Sequence, residues 1–445
     1  MRAEADALGK LNVPGKALYG IQTQRAILNF PSTQKKIIGD YPELIQGLMW
    51  CKQAAAQTNM KFGYLSSKRG RAIVRSAAEV LKKQVFGQFP VHYLHGGGGT
   101  SANMNANEVL ANMAEERLGG KRGDYELVHP NDHVNLHQST NDVYPTACHI
   151  AIILKWKALK TALEGLREAL SARGMELRGQ KRVARTCLQD AQEVTFKDLL
   201  DGYGSFVKRA TSRLESAVDS LHSVNLGGSF IGRKDDVPGD YFEDIIPSLR
   251  AVTGDERYRR ARNLFDAAQN PDDMALCSAQ LAILVRGLIK IGQDFRLMAS
   301  GPETGLGEII LASVQPGSSA VPGKVNPVIP EFLMQACFVA IGLDATCQAA
   351  LCHGELDLNV WESAMVFSLL DSMGLLAEAV SVFEKKCVRL FKVNADINDR
   401  NANSVIPMLM RATHKFGYAC IDQICREAAG DYDRIRKLLV DRNLL

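Results

Sequence analysis

The run Gly317-Ser318-Ser319-Ala320-Val321-Pro322-Gly323-Lys324-Val325-Asn326-Pro327 carries the chain's clearest chemistry. Its glycines and prolines supply hinges and special backbone angles. Two adjacent hydroxyls supply a proton acceptor and a donor, and Lys324 with Asn326 offers a charged and a neutral grip for a carboxylate. The continuation Val328-Ile329-Pro330-Glu331 predicts a mobile loop that runs into a helix. A second run, His95-Gly96-Gly97-Gly98-Gly99-Thr100-Ser101, lacks the lysine and spacing of a P-loop. It suits close backbone approach to a small anion, with Thr100 and Ser101 donating hydrogen bonds.

His129, His133 and His137 recur every four residues, the spacing at which one helix face would present three imidazoles to a metal. Pro130 and the turn-forming Asn131-Asp132 place His129 ahead of any helix, so no metal site is expected. Cys187 could act as a nucleophile, but no histidine near it in sequence would activate it, and a buried packing thiol is the expectation.

Apolar residues recur at helical spacing over 145–175, 194–223, 262–299, 328–351 and 357–391, and strand-like alternation is scarce. The second stretch stops at Asn225-Leu226-Gly227-Gly228 and the third at Ser300-Gly301-Pro302. Long helices that return on one another need a shared apolar seam, which predicts a mainly α fold built on a bundle. Helices of about thirty residues reach about 45 Å, beyond what a single-chain core requires, so association along the bundle is expected. Segments 1–138, 139–391 and 392–445 are the expected domains, the middle one holding the bundle and the 317–327 loop.

The 445 residues are 46% hydrophobic with a net charge of +4, and interspersed charges exclude the dense footprint of a nucleic-acid binder. The charged start Met1-Arg2-Ala3-Glu4 has no apolar signal core, and no uninterrupted apolar run is read as long enough for a bilayer. A cytoplasmic protein without membrane or nucleic-acid partners is expected. Ten cysteines without a CxxC pair fit buried thiols, Cys277, Cys337 and Cys420 among them, rather than a disulfide framework.

Three separated segments resemble the aspartase/fumarase superfamily: His95 to Glu108, His129 to Asp142, and the Ser318 loop. The likeness extends through Met1 to Leu8, Ala17 to Gln24 and the central helices. It implies a three-domain fold with a long central helical bundle, and a homotetramer in which different subunits contribute to each active site. It further implies an anti elimination next to a carboxylate, with Ser318 as the base in its alkoxide form. Thr100, Ser139, Thr140 and Ser319 then serve the charge-accumulating end of the substrate, and Ser101 counts among the substrate-binding residues. Thr186, Lys324 and Asn326 hold the other carboxylate, and Asn141 meets the leaving amine or hydroxyl. Cys187 takes a substrate-binding position commonly held by histidine, and His129, Asn131 and Asp132 match a secondary anion site. No metal or organic cofactor is implied.

Other departures bear on substrate. His137 stands where a small residue is usual and is read as a packing histidine. Glu331 loses its expected histidine partner and needs another cation, while Glu355 and Asp357 are read as helix-start acids. Gly232 to Asp236 stands where relatives usually have a short neutral Gly-Thr-Gly-Leu-Asn turn, and Arg411 to Lys415 replaces a Leu-Asn-Pro-containing run. Ser139-Thr140, Gly99-Thr100-Ser101 and Pro327 to Glu331 lean toward the aspartase branch. L-aspartate to fumarate and ammonia is the first reading. A larger amine substrate, as in an ergothionase-like release of trimethylamine, and fumarate hydration remain as rivals, and a catalytically silent bundle protein stands outside the class.

Overall fold

Residues 1–31 and 36–444 are described by a computed structural model. The helical periodicity becomes five long helices: Thr140–Glu176, Phe196–Ser220, Asp272–Met298, Val328–Leu351 and Glu362–Phe383. At 1.5 Å per residue the 37 residues of the first extend about 55 Å. Among the described residues strands pair only two by two, in short sheets. The fold is mainly α, as the periodicity predicts.

Two of the expected stretches are interrupted, each for a local reason. Within 262–299, Asn263 caps the short helix Leu264–Gln269 by accepting from the Phe265 and Asp266 amides. That helix stops at Asn270 because Pro271 has no amide to continue the ladder, and Asp272 starts a new one. The 357–391 stretch begins only at Glu362, after the 353–361 turn, and closes in a π turn over Glu384–Val388. Glu355 and Asp357 therefore sit exposed in a turn, and the helix-start acid is the buried Glu362.

The chain divides into two compact units, and each of the five long helices begins in one and ends in the other. The first unit comprises Met1–Leu159, Ser212–Ile283 and Val339–Leu375. In it Pro42–Lys61 packs against Ser67–Lys83 and Gly239–Thr253. Gly47 lies so close to the Thr140–Glu176 helix that an added Cβ would stand 2.5 Å from the Ala147 carbonyl oxygen. Glu108 accepts from the Gly20, Gln22 and Thr23 amides, which ties the start of Ile21–Asn29 to Thr100–Arg117.

The second unit comprises Lys160–Thr211, Leu284–Phe338 and Leu376–Leu445. Its antiparallel hairpin Lys181–Thr186/Gln189–Thr195 packs against the helices Ala395–Ala402 and Val405–Phe416. Buried Glu308 sits between Arg182, 3.5 Å away, and Arg185, which ties the hairpin to the segment before the 317–327 loop. A small apolar cluster of Val405, Ile421, Ile424, Ile435 and Leu439 holds the last helices together.

Two sequence expectations need correction. By length and mean hydropathy, Asp272–Met298, Val328–Leu351 and Glu362–Val388 would each reach across a bilayer, contrary to the reading that no run suffices. Much of the apolar surface of the first and third is instead buried within the protein, through residues such as Leu284, Leu288, Phe295, Leu370 and Leu376. Cys277 and Cys337 are buried, but Cys420 is exposed, because its helix Tyr418–Glu427 turns only Ile421 and Ile424 fully inward.

Replacing Gly47 by alanine should cost about 1–3 kcal/mol, because backbone must move to admit the methyl group. Chemical denaturation of G47A against the wild type measures it.

Candidate active site

The hydroxyl-rich segment before the longest helix is a cap with unusual support. Asn141 N–H donates to Ser139 Oγ at 3.2 Å, and Ser139 N–H donates to Asp142 Oδ1 at 3.0 Å. Asp142 Oδ2 takes the amides of Gly227 at 2.9 Å and Ser229 at 3.2 Å, fastening the 225–229 turn to the helix start. Pro145 cannot donate to the Asn141 carbonyl four residues back. Asn225 replaces the missing bond, its Nδ2 donating to Asn141 O at 2.9 Å while its Oδ1 accepts from Thr146 Oγ1 at 3.3 Å. The Asn141 amide is then aimed by its own donation to the Phe230 carbonyl at 2.8 Å. No described residue donates to its Oδ1.

Behind this cap lies a buried polar chain. Lys52 Nζ donates to Asn135 Oδ1 at 2.9 Å, and the same oxygen accepts from Asn103 at 3.2 Å and Asn107 at 3.1 Å. Asn103 Nδ2 also donates to Thr140 Oγ1 at 3.1 Å, which sets the orientation of that hydroxyl. Both Lys52 and Asp142 are fully enclosed. Burial brings the Lys52 ammonium down to about 7 and pushes the Asp142 carboxyl up to about 6; their mutual attraction and, for Asp142, three amide donors oppose the shifts.

Gly97, Gly98 and Gly99 all take positive φ, at 83°, 58° and 87°, and deliver the chain into the helix Thr100–Arg117. A Cβ on Gly99 would lie 2.3 Å from the Tyr144 ring, so this position admits no side chain. Thr100 Oγ1 donates to Gly97 O at 2.8 Å, bracing the turn, and Ser101 opens on a separate shallow cavity beside Arg25 and Phe30.

His129 precedes a single π turn over Pro130–Val134, as the proline requires, and its Nδ1 accepts from the Asn131 and Asp132 amides at 3.3 and 3.2 Å. His133 Nδ1 accepts from the His129 amide, and His137 Nδ1 meets Asn59 Oδ1 at 2.7 Å. The three imidazoles thus have separate partners. His137 also lies edge-on to Tyr64, with centroids 4.8 Å apart, and near Tyr241 at 5.3 Å, which makes it a packing histidine.

The second unit holds the loop and the hairpin tip. Ser318 Oγ accepts from the Val321 amide at 2.9 Å and the Ala320 amide at 3.1 Å. Gly317 N–H donates to Lys324 O at 2.9 Å, and Asn326 Nδ2 donates to Gly317 O at 2.7 Å, closing a ring that Lys324 and Ser319 leave exposed to solvent. A Cβ on Gly317 would stand 2.6 Å from that Lys324 oxygen. The helix follows from Val328, and Glu331 has found its cation in Arg296, 3.4 Å away. Thr186 and Cys187 lie at the tip of the Lys181–Thr195 hairpin, where Cys187 and Leu188 take φ of 52° and 61°. The expectation of a buried thiol fails: Cys187 is exposed, because a two-residue hairpin turn with both φ positive projects into solvent.

Residue types alone did not mark Lys52, Asn103, Asn135 or Asn225. Asp142, three residues after Ser139, carries the capping pattern and was readable. The turn 232–236 remains on the surface, with Gly232 at φ 85° and pressed against the Leu264 backbone. Arg411 pairs with Glu193 of the hairpin at 3.3 Å, a structural use of that altered segment.

The profile of a family described as Lyase matches residues 9–342. The chain is 36% identical to the aspartate ammonia-lyase of a Bacillus species over 445 residues, covering 100% of this chain and 94% of that one. Its fold is similar to a fumarate lyase:delta crystallin from Brucella melitensis bound to cobalt. That match has a TM-score of 0.95 and 38% identity, covering 99% and 95% of the two chains. It is also similar to a class II fumarase from Schistosoma mansoni, with a TM-score of 0.94, 32% identity and coverage of 100% and 96%.

Asp142→Ala leaves three buried amides without an acceptor and should cost on the order of 3 kcal/mol. The freed 227–236 turn should be cut by trypsin at Arg233 or Lys234 faster than in the wild type, which timed proteolysis followed by mass spectrometry measures.

Proposed function

This chain belongs to the Lyase family, within the aspartase/fumarase superfamily, and on that premise we propose that it is a carbon–nitrogen lyase converting L-aspartate to fumarate and ammonia. The observation that carries the reading is the Ser318 turn. Two amides already donate to its Oγ, at 2.9 and 3.1 Å, so negative charge on that oxygen meets donors held in place before reaction. A serine alkoxide is otherwise far too unstable to serve as a base.

Ser318 removes the carbon proton next to a carboxylate, and the developing charge spreads into that carboxylate. Thr100, Ser139, Thr140 and Ser319 receive it, with Thr140 oriented by Asn103. Lys324, Asn326 and Thr186 hold the second carboxylate. Asn326 keeps one N–H beyond the bond that closes the loop.

Asn141 supports nitrogen as the leaving atom. One of its two Nδ2 hydrogens goes to Phe230 O, and its Oδ1, which no described residue donates to, is free to accept from the leaving group. An ammonium has only donors to offer, so it matches this side chain. Cys187 at an exposed tip supports a second reading, a larger amine substrate, because a small side chain replaces a bulky ring there. His129, with Asn131 and Asp132, is our candidate for a secondary anion site: the His129 ring and two adjacent amides face one another at a turn.

We place the working unit in a homotetramer, each active site drawing on several subunits. The helix Val328–Leu351 leaves Phe338 and Val339 each 52% exposed, and Leu276, Ile283 and Leu297 are exposed along Asp272–Met298. Such apolar rows on long helices are suited to burial against further copies. The segments 1–138, 139–391 and 392–445 are proposed as its three domains, and buried free thiols such as Cys51, Cys148 and Cys347 suit a cytoplasmic setting.

Incubation with L-aspartate, followed by ultraviolet detection of fumarate, should show turnover; its absence in a folded tetramer, with turnover of another amino carboxylate, would reassign the substrate. Ser318→Ala should lower kcat by roughly 10²–10⁴-fold with the fold retained by circular dichroism. Phe338→Glu should dissociate the assembly in light scattering and abolish activity together with it.

A further inference from the structure

Glu362 opens the helix Glu362–Phe383 inside the protein, only 4% exposed, and its carboxyl group meets nothing but its own backbone amide. No other described residue hydrogen-bonds or pairs with it. It faces a cavity of about 320 Å³ in the first unit, formed where the start of Thr140–Glu176 meets the 261–274 segment. A buried carboxyl without a partner pays a desolvation cost that some ligand or cation ordinarily offsets.

The walls are unbalanced in charge. Asp266, Asp272 and Asp273 join Glu362, against Arg262 as the one guanidinium. The crowding is felt: burial first, then the neighbouring Asp273 and Asp266 charges, hold the Asp272 carboxyl above its ordinary range. His149 lines the same space with Nδ1 against Leu221 O, and burial holds its imidazole toward the neutral form. The cavity therefore favours a positively charged occupant.

The kind of cation follows from the arrangement of the walls. Among the described residues no three histidine, cysteine or carboxylate side chains converge as metal ligands would. Pro145 and Pro271 line the same space, apolar groups that a bare ion would not use. An ammonium head against Glu362 with a short alkyl body against these residues satisfies both features.

We propose that this cavity is an accessory site for a small aliphatic ammonium ion, held by Glu362 with Asp273 and separate from the substrate site. Asn225 is a shared wall: it lines the cavity and donates to the Asn141 carbonyl. Burial pushes the Glu362 carboxyl up to about 8, so binding a cation there must expel a proton near neutrality. The groups around it that carry or could carry charge are Tyr144, Cys148 and His149 on one helix, Arg262 and Asp266 on the 261–269 segment, and Asp272 and Asp273 on the next helix.

The test is isothermal titration of the intact protein with n-butylammonium chloride, using sodium chloride and n-butanol as controls. Saturable binding of the ammonium alone is expected, tightening from about pH 6 to about pH 9 as Glu362 gives up its proton. Glu362→Gln should weaken it about 30-fold or more, and Asp273→Asn should weaken it without touching the buried position. Binding should persist in saturating L-aspartate. No saturable binding to the wild type, unchanged affinity in both variants, or full competition by L-aspartate would overturn the proposal.

Discussion

Pro145 removes one hydrogen bond from the first turns of the longest helix, and the organisation of the hydroxyl-rich segment follows from how that loss is repaired. The Asn141 carbonyl is satisfied by Asn225 from a distant part of the chain, and Asp142 one residue on gathers the amides of Ser139, Gly227 and Ser229. Two segments some eighty residues apart are thereby held at one place. Asn141 is aimed by Phe230, a residue of the turn so anchored. A helix with an ordinary residue at 145 would complete its own ladder and have no need of Asn225.

The second constraint is the burial of Lys52. An ammonium ion enclosed in a protein is costly unless its donors are met. Asn135 meets it, and because the same oxygen accepts from Asn103 and Asn107, the position of each amide depends on the others. The chain ends on Thr140 Oγ1, a hydroxyl of the proposed site. Orientation at the surface of the site is thus secured from inside, where water cannot compete for the same bonds.

The loop of the second unit uses a different device. Instead of a buried scaffold it has an internal ring, Gly317 with Lys324 and Asn326, that leaves Ser318 facing two amides and Lys324 free of the core. Such a loop can move as a body while keeping its own geometry, which suits closure over a substrate. The salt bridge from Glu331 to Arg296 anchors the helix that follows it. Glu308 between Arg182 and Arg185 does the same for the hairpin that carries Thr186 and Cys187.

By itself the sequence determined the helical class, the long helices with most of their ends, and the short motifs. These depend on local spacing: apolar periodicity, Pro130 ahead of a turn, Gly317 and Gly323 in a loop. It misjudged positions whose burial depends on what arrives from elsewhere. Cys187 looked like a packing thiol and stands at a solvent-exposed hairpin tip; Glu355 and Asp357 looked like helix-start acids, while the buried start is Glu362. Only the tertiary structure decided that Lys52 is enclosed, that Asn225 serves the Asn141 carbonyl, that Arg296 answers Glu331, and that Glu362 faces a cavity without a partner. The reason is physical: periodicity reports which side of an element is apolar, but whether a polar group is satisfied depends on atoms that sequence distance leaves unrelated until the chain folds.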